Sequence, residues 1–225
     1  MNRTRLNVWI VLLAVAAIAF ALVSRPRDGG NPFGAYAAAP LVAGEGLGDI
    51  RVGETTLGSF LERFGPGLPS ALYGDDTALE FGFARAGLSF RFWLEGACAG
   101  TVQALHGTGL RALGDARRFT RDHPECSLQR LSAIEVASGA SERATFWRGE
   151  STAGVRLRMP REAAIERLAT VPAASGGVLG LGPEAEEAML VRFVDVDGLQ
   201  VWFAPDRSSS GADAWIVTRL GVAAR

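Results

Sequence analysis

The 225-residue chain holds two cysteines and two histidines, and all four fall in one short stretch: Cys98, His106, His123 and Cys126. Their types are those of a tetrahedral zinc shell, which thiolate and imidazole ligands satisfy. The spacing is Cys, seven residues, His, sixteen residues, His, two residues, Cys, and it does not match the close-paired patterns of zinc modules. In an oxidising compartment the same residues read more simply as one disulfide between Cys98 and Cys126, pinning the base of a long loop. A Cys126 thiolate helped by His123 is a further arrangement, but two intervening residues on an extended turn do not bring them into contact. The disulfide is the reading carried forward. A metal site or an enzyme built on this Cys and His stretch is its alternative.

A second set of residues suits recognition rather than catalysis. Arg111, Arg117, Arg118 and Arg121, with Asp115, lie in a segment from Leu110 to Arg121, followed by Asp122, that reads as one short basic helix, a form that meets acidic partners or lipid headgroups. Leu88, Phe90 and Phe92 alternate, as do Leu199, Val201 and Phe203, and period two marks one buried sheet face. The same alternation sends Arg91, Trp93 and Trp202 to the opposite face. Trp and Arg are enriched in binding hot spots, so these three join the four arginines as partner-binding candidates.

Other chemistries are excluded by what is missing. All 23 basic residues are Arg, which removes Schiff-base lysines, the P-loop lysine and the strand lysine of protein kinases. Asp195, Asp197 and Gly198 lack the further ligands of a calcium loop and read as a hairpin turn. The glycine-rich stretch 176–182 follows a helical pattern rather than a strand, unlike a phosphate cradle. Neither a nucleophile elbow nor a paired-histidine zinc motif is present. No catalytic residue, metal ligand set or cofactor is assigned. Beyond residue 28 the chain carries 19 basic and 23 acidic side chains, so it has no basic footprint for nucleic acid.

These residues sit on a pattern written twice. An apolar strand start and a helix appear as Ile50, Val52, Leu57, Phe60, Leu61 and Phe64, and again as Val155, Leu157, Ala164, Ile165 and Leu168. Each is followed by a loop with Gly and Pro, then by the alternating hairpins above. A closing strand ends each copy, Leu131, Ile134 and Val136 against Val217, Leu220 and Val222. The first copy holds an insertion, residues 98–122, where the second has only Pro205 to Ala212. The expected fold class is α+β: two tandem modules, residues 46–138 and 139–225, each a small antiparallel sheet with a helix on one face.

Ahead of them, Val8 to Val23 is an uninterrupted apolar run flanked by Arg3, Arg5, Arg25 and Arg27. Its length lies between a spanning helix and a signal core. The arginines that follow favour an uncleaved anchor, with residues 1–7 cytoplasmic and the remainder outside the cytoplasm. Residues 24–45, with small and turn-forming types and no period, read as a flexible tether.

Taken together, the helix with Leu57, Phe60, Leu61 and Phe64, the Pro-containing loop and the hairpin with Gly87, Leu88, Phe90 and Phe92 resemble repeats of small bacterial envelope proteins. They are similar to the modules of the outer-membrane assembly lipoprotein BamE and of the beta-lactamase inhibitory protein. The resemblance implies a helical layer on one face of an antiparallel sheet and work by protein binding rather than catalysis. It transfers no binding residue, because the chain lacks a lipoprotein cysteine after the apolar run and carries the insertion. The expectation is a single-pass, membrane-anchored, periplasmic protein that binds or scaffolds an envelope or membrane protein. A module for lipid or cell-wall glycan is the alternative of a different class.

Overall fold

Alternation of apolar and polar residues builds the centre of the structure, a computed structural model that describes residues 32–65, 72–75, 77–83, 87–106, 111–138, 147–170, 180–181, 192–196, 198–205 and 215–223. The apolar run of residues 8–23 lies outside the described residues; among them, no helix is long and apolar enough to cross a membrane.

A small antiparallel sheet comes first, from β1 (Leu41–Val42), β2 (Gly46–Leu47) and β3 (Ile50–Arg51). The main sheet takes β4 (Leu72–Gly74), β5 (Ala78–Phe83), β6 (Leu88–Trp93), β7 (Arg111–Gly114), β8 (Leu131–Ala137), β9 (Gly180–Leu181), β10 (Arg192–Val196), β11 (Leu199–Pro205) and β12 (Trp215–Ala223). These strands lie in the order β7-β4-β5-β6-β8-β12-β11-β10-β9. Four α-helices accompany them among the described residues: α1 (Leu57–Phe64), α2 (Gly96–His106), α3 (Ala116–Asp122) and α4 (Arg161–Ala169).

The alternating segments predict two small sheets, but the structure joins them edge to edge through β8 and β12 into one. Pairing the two closing strands satisfies backbone groups that separate sheets would leave bare. The registers on either side of that seam correspond. On one side Leu88 faces Val136, Phe90 faces Ile134 and Phe92 faces Leu131, with a bulge between Arg91 and Phe92. On the other Leu199 faces Val222, Val201 faces Leu220 and Phe203 faces Val217, with a bulge between Trp202 and Phe203.

The extra residue of each bulge carries a hydroxyl: Ser132 donates to the Arg91 carbonyl at 2.9 Å, and Thr218 to the Trp202 carbonyl at 3.4 Å. At the seam Glu135 faces Gly221, with Val136 opposite Leu220 and Ile134 opposite Val222. Exchanging each residue for its counterpart leaves this register unchanged. Both hairpin turns also finish on a glycine at positive φ, Gly87 at 63° and Gly198 at 80°, where an L side chain is disfavoured. Their carbonyls accept from Ala137 and Ala223, respectively.

One face of the sheet is covered. Phe81, Phe90, Phe92, Ile134, Val136, Val201, Phe203, Leu220 and Val222 are all buried there. Over them lies α1, whose capping is reciprocal, Ser59 N–H to the Thr56 hydroxyl and Thr56 N–H to the Ser59 hydroxyl, both at 3.2 Å. Its buried Leu57, Phe60, Leu61 and Phe64 sit three and four residues apart, one helical stripe. The Phe60 ring stands 4.7 Å from that of Phe90. In α4 the shorter Ala164 and Leu168 serve the same purpose.

The tether expected over residues 24–45 does not reach that far. Phe33, Tyr36 and Leu41 are buried, and Phe33 packs between Phe64, Phe83 and Phe90 at ring separations of 5.0–5.4 Å. The compact unit that holds these residues runs from Pro32 to Arg225. Burial of two aromatic rings outweighs the loop-forming composition around them.

Candidate functional site

The expected insertion lies between β6 and β8, where the described residues form α2, β7 and α3. Cys98 on α2 and Cys126 form a disulfide with Cα atoms 4.9 Å apart, and both residues are fully buried. With both sulfurs in that bond, the zinc alternative loses two of its four ligands and Cys126 has no thiolate to act as a nucleophile. His123 stands 3.7 Å from Glu125 through Nδ1 and packs against Phe119; the side chain of His106 lies outside the described residues. The Thr101 hydroxyl donates to Glu125 at 2.8 Å and holds that carboxyl below the usual range.

A second closure, not legible in sequence, lies just below the disulfide. Gln129, 6% exposed, accepts from Glu95 N–H at 2.6 Å and donates back to the Glu95 carbonyl. The backbone where the excursion leaves and rejoins the sheet is thereby satisfied by one amide side chain.

The basic helix expected over Leu110–Arg121 is two elements. Arg111–Gly114 is β7, pairing with β4 at the sheet edge, and only Ala116–Asp122 is helical, capped by Asp115 accepting from Arg118 N–H at 2.9 Å. Pairing with β4 overrides local propensity. The three arginines of α3 are exposed but differ in what they touch. Arg118 and Arg121 share Asp122 at 3.7 and 3.4 Å. The Arg117 guanidinium crosses the C-terminal end of α1, close enough that a Cβ on Gly65 would meet its Nε at 2.5 Å, a position that suits the negative end of that helix. The side chain of Arg111 lies outside the described residues.

The sheet face opposite the helices carries Arg91 and Trp93 on β6 and, with β8 and β12 between, Trp202 on β11. Trp93 is 55% exposed and Tyr73, on the same face by its pairing with Glu80, is 36% exposed. Glu80 lies between Tyr73 and Arg91, 3.6 Å from the Arg91 guanidinium, and accepts from Ser89 at 2.9 Å. Around the seam the residues are small, Ala133, Ala137, Gly221 and Ala223. Beyond them the Trp202 ring reaches over Gly221, so close that a Cβ there would stand 3.0 Å from its outer carbons. Arg219 covers this ring at 5.3 Å and bridges to Glu135 at 3.1 Å. The surface is therefore a nearly neutral floor of small residues between two aromatic and arginine clusters. Trp93 is exposed, whereas Trp202 is packed against Gly221 and Arg219.

No family model matches the chain, and no curated protein matches it. Among solved structures it is similar to the uncharacterized protein yfeY from Escherichia coli, at 12% identity and a TM-score of 0.34, over 81% of this chain and 98% of that one.

Proposed function

We propose that the chain is a non-catalytic, membrane-anchored, extracytoplasmic protein that binds or scaffolds a partner protein through the open face of its sheet. The observation that carries this reading is Trp93, a large aromatic side chain 55% exposed on a sheet face that none of the described helices covers, with Arg91 two residues away. An aromatic and arginine pair beside a floor of small residues is how binding hot spots are built. The apolar run of residues 8–23 serves as anchor, and the Cys98–Cys126 bond suits an oxidising compartment. The fold itself is read as two tandem modules, duplicated and joined at β8 and β12; matched registers, bulges and bulge hydroxyls support it.

Photo-crosslinking in intact membranes tests the function. A photoreactive residue in place of Trp93 should give a discrete adduct, absent when it replaces Glu166 on the helix-covered side and lost when Arg91→Ala is added. Adducts that are alike at both positions, or none at Trp93, would overturn the reading. Trp93→Ala should leave the thermal midpoint unchanged, because so exposed a ring contributes little to packing.

A further inference from the structure

A cavity of about 360 Å³ opens to solvent between residues 38–40 and 148–156, lined by Ala38, Pro40, Arg148, Gly149, Glu150 and Arg156. It belongs to the layer that covers the sheet, not to the open face, and its argument does not depend on the proposal above. Its walls are held together before any ligand arrives. Arg148 N–H donates to the Ala37 carbonyl at 2.6 Å, Leu41 N–H to the Glu150 carbonyl at 3.1 Å, and the buried Trp147 indole N–H to the Ala39 carbonyl at 2.8 Å. Such a pre-formed hollow, of a size that small-molecule groups fill, is ordered by backbone pairing rather than by a side chain that closes it.

Its charges are arranged unevenly. Arg156 donates through Nε and Nη2 to one oxygen of Glu150, at 2.8 and 2.6 Å, which fixes the plane of the guanidinium and leaves its Nη1 edge uncommitted. Arg148 lines the same cavity and makes no ion pair with any of the described residues. Two guanidinium groups against one carboxylate leave the cavity with one unbalanced positive charge.

We infer that this cavity is a binding site for a singly charged phosphate group, taken in by Arg148 and the oriented Arg156. The guanidinium fork matches phosphate oxygens in plane and direction. A tetrahedral oxyanion also offers acceptors to both guanidinium groups at once, which a planar carboxylate does less well. The group has two possible sources, a free phosphate or the phosphodiester of a lipid headgroup, and both present the same oxygens.

The test is calorimetric titration of the full chain in neutral detergent with three probes: sodium phosphate, dihexanoyl phosphatidylglycerol and sodium acetate. Saturable binding of phosphate, or of the short lipid alone, is expected, and the two outcomes identify a solute or a headgroup as the source. Arg148→Gln should weaken the effective probe by about tenfold or more, the loss of a charge-assisted hydrogen bond, while leaving the thermal midpoint nearly unchanged because no ion pair or side-chain hydrogen bond to a described residue is removed. Arg156→Gln should weaken it similarly. No saturable heat with either phosphate probe, an undiminished response in Arg148→Gln, or acetate binding as tightly as the phosphate probes would overturn the assignment.

Discussion

At the scale of single residues, a polar contact joins the packing of Phe33 in tying the N-terminal segment to the first helix. Tyr36 donates its hydroxyl to Asp49 at 2.6 Å, and Arg63 meets the other oxygen of Asp49 at 2.7 Å. The Tyr36 hydroxyl, and after it the Arg63 guanidinium, hold the Asp49 carboxyl below its usual range. Burial, aided by the same hydrogen bond, pushes Tyr36 up to about 12. A carboxyl depressed by folding stabilises the native state above its unfolded pKa, and that contribution is lost as pH falls through the folded value. For Tyr36 the sign is opposite: stability is complete below the unfolded value and declines as pH rises toward about 12. Tyr36→Phe should therefore flatten both limbs of a stability profile measured by urea unfolding. Unchanged acid and alkaline limbs in that variant would show that the pair does not couple to folding.

Among elements, the insertion is held at two levels, Gln129 against Glu95 and Cys98 against Cys126. The bond closes a loop of separation 28, and joining cysteines that far apart stabilises by about 3.5 kcal/mol in the chain-entropy model. Cys98→Ser should lower the unfolding free energy by about that amount, while Gln129 keeps the base of the excursion closed. Equal stability of oxidised and reduced protein in urea would contradict this. The disulfide was legible because the chain has two cysteines and no other thiol. Gln129 was not, since an amide that satisfies a backbone 34 residues away leaves no local pattern. Likewise β7 escaped detection, because the four residues Arg111–Gly114 carry no alternation and become a strand only by meeting β4.

For the whole molecule, legibility followed period. Leu88, Phe90 and Phe92, and Leu199, Val201 and Phe203, read as strands from spacing alone and face the core. The three-residue step from Leu131 to Ile134, repeated from Val217 to Leu220, breaks that spacing, and the bulges at Ser132 and Thr218 explain it. Counterparts also differ in kind. The left-handed position whose N–H reaches the Leu131 carbonyl is Gly53, while the one reaching Val217 is Arg158, at φ 80° and 64°. Residue identity hides that equivalence. The core's dependence on Phe33 was hidden for another reason: Gly, Pro and Ala neighbours give it no period, and its partners are distant in sequence. Phe33→Ala should cost about 3–5 kcal/mol, as for other buried Phe truncations, and a chain begun at residue 46 should fail to fold where one begun at residue 32 succeeds. Circular dichroism of the two shortened chains with thermal melts decides between them.

The strand β7 also has a protective consequence. Because it lies outside β4 in the strand order, it occupies hydrogen-bonding groups of Leu72–Gly74 that would otherwise sit on a naked rim, where foreign chains attach and fibres begin. Evolution or an engineer wishing to pare away the stretch between β6 and β8 would first have to supply another guard for that rim.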